Sequence, residues 1–349
     1  MGSARLPIDE LCERFHLGTP LRRPRPLRAW SSNRLWRLTT DAGTFIIKRF
    51  NPGESHTDQL ARLRDAAAVE QSAAIAGVPM PRPVPLPTGE LIAEISIRDR
   101  PPDLYRVHEW IDGSELTEPC SAEVAVRAGA LLARIHLLGI PVPSRGSPRR
   151  WGAGDPDRWQ RWIDRFGPED DDVAARLDAV QGAVLAAQAL VNETAATRRP
   201  LVAGHGDPAP ENILRLRDGT LAIVDWDNAG CVDRQQELLR LALRCAGIYE
   251  RDGPAIGVVC SVITGYRDAG GIVAPLDHLD FARSVGEILE WLEFNLRRRL
   301  APVGVRSGER EVGRTEILAM IDALPRIVGS LDATLVSVRA APDARATRS

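Results

Sequence analysis

The chain has 349 residues, of which 44% are hydrophobic and 26% are charged, and its formal net charge is −2 at pH 7. This length is sufficient for two lobes with a substantial core. Because acidic and basic residues nearly balance and are mixed along the chain, the composition excludes the basic field that a nucleic-acid-binding surface needs. We therefore expect a globular protein with no nucleic-acid partner.

The cysteines and the apolar segments indicate the compartment. Five cysteines are scattered along the chain without the spacing of a zinc or redox site, which is typical of free thiols in a reducing cytosol. The N-terminus has no long apolar core for a signal peptide, and the longest apolar run, at 255–263, is too short to cross a bilayer. We expect a cytoplasmic protein without a membrane partner, present as a monomer or a homodimer.

Two strands rich in β-forming residues are predicted at 35–40 and 44–49, with a short hairpin loop between them. The second strand carries Lys48, the single lysine among 45 basic residues. An ammonium is a compact point charge, whereas a guanidinium is a wide planar fork, so a tight phosphate site prefers lysine. The alternative is that one lysine is simply left over in an arginine-rich chain.

A long helix is predicted at 55–76, because Ser55-x-x-Asp58 resembles a capping box. Two further strands are predicted after it. Apolar residues alternate at 91–97, and a second β-forming run covers 105–111. The first third of the chain is thus predicted to form a sheet with one long helix.

The middle of the chain is predicted to be helical. An apolar stripe predicts a helix at 121–138, and an alanine-rich segment predicts one continuous helix at 173–194. Trp151, Trp159 and Trp162 lie between these helices. Such a cluster fits a helix core or a pocket for a cationic or polycyclic substrate, and we favour the core.

The most informative stretch is 205–230, HGDPAPENILRLRDGTLAIVDWDNAG. It places Asp207 and Asn212 on one loop, and an apolar strand at 221–224 ends on Asp225. A turn between two short strands would fold these three side chains together. Carboxylate and amide oxygens are hard ligands, suited to Mg²⁺ bound to the phosphates of a nucleotide. The same Asp, Asn and Asp layout occurs in a kinase catalytic loop.

The motif His-Gly-Asp-x-x-x-x-Asn-Ile-Leu, followed by Ile-Val-Asp-Trp-Asp, resembles the aminoglycoside phosphotransferase and choline kinase superfamily, and the resemblance covers roughly 28–243. It implies an α+β, protein-kinase-like two-lobe fold. An N-terminal, nucleotide-binding lobe at 1–110 would contain a small antiparallel sheet with one helix. A larger, mainly helical C-terminal lobe at 111–349 would carry the catalytic loop and the acceptor pocket, with a frayed tail from about 339.

The resemblance assigns roles to individual residues. It implies that Asp207 takes the proton of the acceptor hydroxyl, that Asn212 and Asp225 hold Mg²⁺, and that Lys48 holds the phosphates of ATP. Glu70, late on the predicted helix, is the candidate partner of Lys48. The alternative for Glu70 is a solvent-exposed helix glutamate.

The resemblance also locates the rest of the nucleotide site. The turn Ser31-Ser32-Asn33 lies where the family has the loop that covers the nucleotide phosphates, although a plain polar hairpin turn is the alternative. The hinge between the lobes falls at Glu109 to Ile111. Backbone groups there would bind the adenine.

The catalytic loop departs from the family in its middle. The family usually has Leu-His-Pro-Gly between the aspartate and the asparagine, where this chain has Pro208-Ala209-Pro210-Glu211. This departure concerns the contact of the loop with substrate more than the metal geometry. In the family His205 would hold the loop by hydrogen bonds rather than act as a base, and Asp233 and Glu237 would brace it.

The C-terminal helices supply the acceptor pocket in the family. Glu287, Glu290 and Glu293 lie three residues apart on the helix predicted at 277–296. We expect them to form an exposed polar face. The alternative is a carboxylate-lined pocket for the amines of an aminoglycoside.

The sequence therefore predicts an ATP- and Mg²⁺-dependent O-phosphotransferase that moves the γ-phosphate of ATP to a hydroxyl of a small molecule. The favoured acceptor is an aminoglycoside or a related antibiotic, which would make the activity one of antibiotic resistance. The alternative is a metabolite kinase for an amino alcohol, a hydroxy amino acid or a sugar. A second alternative is a catalytically inactive nucleotide-binding pseudokinase, with the loop at 208–211 as the sign of decay.

Overall fold

The structure, a computed structural model, describes residues 6–27, 33–51, 55–97, 100–140, 151–197, 199–300 and 307–340. Ser31, Ser32 and the predicted tail beyond 340 lie outside these ranges.

The N-terminal lobe begins with a short helix and contains the predicted antiparallel sheet and long helix. Its elements are α1 (Ile8–Arg14), β1 (Arg25–Leu27), β2 (Arg34–Thr39), β3 (Thr44–Arg49), α2 (His56–Ile75), β4 (Ala93–Ile97) and β5 (Arg100–Glu109). The five strands lie in the order β1-β2-β3-β5-β4, and all neighbouring pairs are antiparallel. The buried side of α1 packs into the apolar core of this sheet.

The register of the sheet determines the surroundings of the single lysine. Lys48 on β3 is paired directly with Arg106 on β5, so both side chains project from the same side of the sheet. Ser55 caps the N-terminus of helix α2, and its hydroxyl accepts the N–H of Asp58, as the capping pattern predicts. The helix covers this side of the sheet, because its Glu70 reaches Arg106.

The C-terminal lobe is mostly helical, as the resemblance implied. Its elements are β6 (Gly113–Glu115), α3 (Ala122–His136), α4 (Arg158–Phe166), α5 (Asp171–Ala179), α6 (Gln181–Ala196), β7 (Leu201–Gly204), β8 (Ile213–Leu216), β9 (Leu221–Ile223), β10 (Gly230–Asp233), α7 (Arg234–Cys245), α8 (Ile256–Asp268), α9 (Ala282–Arg299) and α10 (Ser307–Ala340). Trp159 and Trp162 are buried in its core, as expected. In the part of the chain that the structure describes, no helix has both the length and the apolar composition to span a membrane.

The prediction of a single helix at 173–194 is wrong. The structure has two helices, α5 and α6, which meet at Val180. Valine is β-branched and Gly182 follows two residues later, and both residue types are weak helix formers. The helix breaks where they come together.

Two small sheets hold the ends of the catalytic stretch. Strand β7 pairs with β10, so that Gly204 lies opposite Gly230, and β8 pairs with β9 and β6. The loop at 205–212 and the segment at 225–229 therefore leave neighbouring strand ends. The Val224 N–H donates to the Asn212 carbonyl at 2.9 Å, which joins the two segments directly.

Helices α3 and α8 cross at unusually short range through facing glycines. A Cβ atom on Gly129 of α3 would lie 2.0 Å from the Val262 carbonyl oxygen, and one on Gly265 of α8 would lie 1.8 Å from the Val126 carbonyl oxygen. Only the absence of a side chain allows the two backbones to approach in this way.

We expect Gly265→Ala to lower the free energy of unfolding by about 1–3 kcal/mol, because the added methyl group overpacks the crossing of α3 and α8. Urea or thermal unfolding measures the change. Gly257→Ala is the matched control on the same helix, because no atom lies within 4 Å of its Cβ position. That control should be neutral or slightly stabilising. Equal effects of the two substitutions would contradict the role of the crossing.

Candidate active site

The backbone of the catalytic loop is fixed at Gly206. Its φ is +82°, and a Cβ there would lie 1.7 Å from the Asn228 carbonyl oxygen, so this position requires glycine. The Gly206 N–H donates to the carboxylate of Glu237 at 2.6 Å. Glu237 also accepts from His136 at 2.6 Å, and the other ring nitrogen of His136 lies 2.8 Å from the Tyr266 hydroxyl. These contacts agree with the predicted bracing role of Glu237. Asp233, predicted to brace the loop as well, instead caps helix α7 and pairs with Arg199.

His205 holds the loop from inside. Its Nε2 lies 3.0 Å from the Val224 carbonyl, and its Nδ1 accepts the N–H of Asp207 at 3.2 Å. Both contacts fit one neutral tautomer, with the proton on Nε2. Burial lowers the pKa of His205 to about 4, so the ring stays neutral near pH 7. The contacts agree with the structural role that was predicted for this residue.

The Asp207 carboxylate is held by an arginine. Arg240 Nη2 donates to Asp207 Oδ1 at 2.5 Å, and the Arg240 Nε donates to the carboxylate of Glu287 at 2.6 Å. The third nitrogen of Arg240 donates to the Pro208 carbonyl. Arg283 donates to the Gly206 carbonyl and to Glu287. Two buried arginines thus hold both the Asp207 carboxylate and the main chain around it.

Arginine contacts also hold the segment 208–211, where the loop departs from the family pattern. Arg240 holds the Pro208 carbonyl, and Arg244 bridges Glu211 at 2.9 Å and Glu118 at 2.7 Å. The loop at 208–211 is therefore tied to helix α7 at both ends.

Asn212 and Asp225 lie on two segments that the Val224–Asn212 backbone hydrogen bond joins. The Asn212 amide nitrogen donates to the Asp207 carbonyl at 2.9 Å, which leaves the amide oxygen for another partner. Asp225 has a φ of 65°, a left-handed conformation that aspartate tolerates better than most side chains. Although burial acts to raise it, the Lys48 ammonium holds the pKa of Asp225 down at about 2. The carboxylate is therefore ionised, as a hard cation requires.

Lys48 pairs with two carboxylates of the catalytic stretch. Its Nζ lies 2.7 Å from Asp225 Oδ1 and also pairs with Asp227. The side chain is 7% exposed. Burial opposes the charge, but the two aspartates raise the pKa of Lys48 above its ordinary value, so the ammonium persists.

The predicted partnership of Lys48 with Glu70 does not form. The Glu70 carboxylate, 1% exposed, binds Arg106 through one oxygen and His108 Nε2, at 2.9 Å, through the other. Arg106 stands beside Lys48 in the sheet, and its longer fork reaches Glu70 from there. Glu70 is also not the exposed glutamate of the alternative interpretation.

The remaining predicted nucleotide residues lie at the edge of this cluster. The Asn33 amide nitrogen lies 3.4 Å from Asp227, and its oxygen accepts the N–H of Asn51 at 3.0 Å. Glu109 ends β5, and its N–H donates to the Arg82 carbonyl at 2.9 Å. Ile111 follows in the connection to the C-terminal lobe.

The prediction of an exposed polar face on α9 is wrong. Each of its three carboxylates accepts from a neighbouring donor: Glu287 from Arg240 and Arg283, Glu290 from the Gly152 N–H, and Glu293 from Arg297. This side of α9 faces helix α7 and the chain at 151–152. Glu287 and Glu293 consequently keep only 15% and 19% of their side-chain surface exposed.

Sequence reasoning did not identify Arg106, Arg240 and Arg283. Each is one arginine among many in this chain, and nothing local in the sequence distinguishes these three. Only the strand register and the packing of α7 against α9 bring them to the site.

The two-lobe fold and the site define a small-molecule phosphotransferase of the kinase-like class. A family model described as "Phosphotransferase enzyme family" matches residues 24–258, and the chain belongs to this family. No curated protein sequence matches the chain.

Solved structures agree with the fold at low sequence identity. A spectinomycin phosphotransferase in complex with ADP and spectinomycin has a TM-score of 0.62 and 14% identity, covering 93% of this chain and 97% of that one. An amicoumacin kinase in complex with AMP-PNP and Ca²⁺ has a TM-score of 0.61 and 15% identity, covering 91% and 94%. A microcompartment-associated aminopropanol kinase has a TM-score of 0.61 and 16% identity, covering 94% and 99%.

We expect the rate of phosphoryl transfer to fall with acidification through about pH 6. Burial raises the pKa of Asp207 to about 6, against the opposing effect of Arg240. A base has to be ionised, so kcat/KM should rise about tenfold per pH unit below this value and level off above it. Initial rates across a pH series measure the profile.

The control for this profile is the charge of Arg240. Arg240→Gln removes the cation and should move the acid limb to higher pH, while Arg240→Lys should leave it near the wild-type position. A flat wild-type profile between about pH 5 and pH 8 would be incompatible with Asp207 as the base.

Proposed function

We propose that the protein transfers the γ-phosphate of ATP to a hydroxyl group of a small molecule, with Mg²⁺ as the metal. The strongest support is that a series of contacts connects Asp207, Asn212, Asp225 and Lys48. A contact joins each of these residues to the next: Asp207 to Asn212, Asn212 to the segment of Asp225, and Asp225 to Lys48. In kinase-like enzymes these residue types bind the nucleotide phosphates, the metal and the acceptor.

The donor set fits Mg²⁺. Asn212 and the ionised Asp225 offer hard oxygen ligands. Among the described residues, no group of three or more His, Cys, Asp or Glu side chains is placed to hold a metal by itself. Mg²⁺ is usually held by one or two carboxylates together with substrate phosphates and water, so this pair of residues matches its preference. The ion would supply charge neutralisation for the phosphates.

The nucleotide would lie between the sheet of the N-terminal lobe and the catalytic stretch. Lys48 would bind the phosphates as a compact charge, and the segment Ser31-Ser32-Asn33, of which the structure describes Asn33, would contact them as well. The adenine would meet the Glu109 carbonyl and the Ile111 N–H, because the Glu109 N–H is already bound to Arg82.

Asp207 would orient the acceptor hydroxyl and receive its proton. Phosphoryl transfer asks little covalent chemistry of the protein, since positioning and charge stabilisation carry most of the catalysis. Arg240 fixes the rotamer of the carboxylate, and Asn212 and His205 fix its main chain. The proton leaves the hydroxyl late, when bond formation to phosphorus has made it acidic.

The charges around Asp207 favour an acceptor with few amines. Glu287, which shares Arg240 with Asp207, is neutralised by two arginines. Glu290 and Glu293 also have donors. A polycationic aminoglycoside would gain little from these matched carboxylates. We therefore rank a weakly charged hydroxylated antibiotic, or an amino alcohol, hydroxy amino acid or sugar, above a polyamine antibiotic.

We expect Asp207→Ala to abolish turnover, by at least about 10³-fold, because the variant lacks both the proposed base and the contact that orients the acceptor. ATP binding should persist, since Lys48, Asn212 and Asp225 remain. The measurement is ADP release with Mg-ATP and pooled acceptors: aminoglycosides, aminocyclitols, peptide antibiotics, amino alcohols, hydroxy amino acids and sugars.

The matched control is Asp218→Ala, which removes an exposed turn carboxylate from the same stretch and should keep the wild-type rate. Wild-type turnover by Asp207→Ala would refute the assignment of the base. ATP binding without ADP release over every pool would favour the inactive pseudokinase.

A further inference from the structure

Asp227 is the point where the N-terminal lobe meets the segment that follows β9. Its carboxylate pairs with Lys48 of β3 and lies 3.5 Å from Arg106 Nη1 of β5. Its main-chain carbonyl accepts from Arg62 of α2 at 3.1 Å. The Asn33 amide nitrogen lies 3.4 Å from the same carboxylate. Contacts from separate elements of one lobe thus converge on a single residue of the other.

Arg106 is a buried cation that lies between two carboxylates, those of Glu70 and Asp227. It is 1% exposed and donates through Nη2 to Glu70, while its Nε and Nη1 are buried without a hydrogen-bond partner. A buried charged donor is costly unless an opposite charge lies close to it. Asp227, 3.5 Å from Nη1, provides that charge, and a small side-chain movement would complete the hydrogen bond.

Glu70 is fully engaged on this side of the network. One oxygen binds Arg106, and the other binds His108 at 2.9 Å. Burial, assisted by the charge of Arg106, lowers the pKa of His108 to about 3, so His108 is a neutral donor. Both oxygens of Glu70 are thus used without reaching Lys48.

Lys48 is therefore oriented by aspartates from the other lobe. Of its two partners, Asp225 would also hold the metal, whereas Asp227 is shared with Arg106 of the same sheet.

We propose that Asp227, held in place by the Glu70–Arg106 pair, is the residue that positions the Lys48 ammonium for the nucleotide phosphates. It takes the part that a direct lysine–glutamate pair was predicted to play. This inference rests on the proposed nucleotide site, and its test is chosen to separate the two.

The single lysine provides a test that needs no turnover. An amine-acylating reagent followed by peptide mass spectrometry reports on Lys48 alone, with the α-amino group of the chain as the internal reference. Asp227→Asn removes one of two ionic partners with little change in shape, so the acylation rate of Lys48 should rise about three- to tenfold. Asp218→Asn, on the exposed turn, should leave it unchanged.

Nucleotide affinity is the second readout. Asp227→Asn should weaken AMP-PNP binding by about tenfold in calorimetry, with Mg²⁺ and equally in EDTA, because the effect acts on the lysine and not on the metal. A loss confined to Mg²⁺ conditions, with unchanged acylation of Lys48, would make Asp227 a metal ligand and overturn the proposal.

The part of the Glu70–Arg106 pair is tested by removing both residues. A single substitution would leave a buried charge unpaired and risk unfolding, whereas Glu70→Met with Arg106→Met replaces the pair by side chains of similar volume. We expect this double variant to raise Lys48 acylation by itself, but to add nothing when Asp227 is already Asn. Such non-additivity indicates action through Asp227. Additive effects would show that Glu70 and Arg106 act on Lys48 independently, which would also overturn the proposal.

The two proposals fail in different ways. If the wild-type protein bound no AMP-PNP, the proposed function would fail while the acylation series would still report on Asp227. If it bound AMP-PNP normally and Asp227→Asn changed neither readout, only the inference about Asp227 would fail.

Discussion

The ion pairs of Lys48 join the two lobes. The ammonium comes from the middle of a small sheet, and its carboxylates come from the segment after β9 in the other lobe. The desolvation of a charge is costly, so each buried ion of this site needs an opposite charge within a few ångströms. The buried arginines of the site are paired in the same way: Arg106 with Glu70, and Arg240 with Asp207 and Glu287.

The catalytic loop is held at two levels. Its main chain is fixed by a carboxylate and a histidine, since Glu237 takes the Gly206 N–H and His205 takes the Asp207 N–H. The side chain of Asp207 is fixed by Arg240, which also ties the loop to α9 through Glu287. The middle of the loop departs from the family pattern, yet Arg240 and Arg244 anchor it. The loop is therefore held in place despite this departure.

The sequence predicted most of the framework, because its signals are local. Alternating apolar residues, a capping serine and the spacing from Asp207 to Asn212 to Asp225 all report on near neighbours in the chain. The partner of Glu70 was wrong because it depends on which residue of β5 lies opposite Lys48, and strand register cannot be read from one strand. Arg240 and Arg283 were not predicted for a related reason. The packing of α7 against α9, two helices far apart in the sequence, brings these two of the many arginines to the site. The alanine-rich helix broke at Val180 because weak helix formers coincide there, which composition alone did not reveal.

The facing glycines of α3 and α8 have a consequence for motion. Backbones that touch without intervening side chains leave little free volume between them, so sliding or rotating one helix against the other would cost packing energy. His136 on α3 and Tyr266 on α8 belong to the chain of contacts that ends on the Gly206 N–H, so hydrogen bonds tie the loop at 205–212 to this pair of helices. The sheet of the N-terminal lobe meets this body differently, through the ion pairs of Lys48 with Asp225 and Asp227.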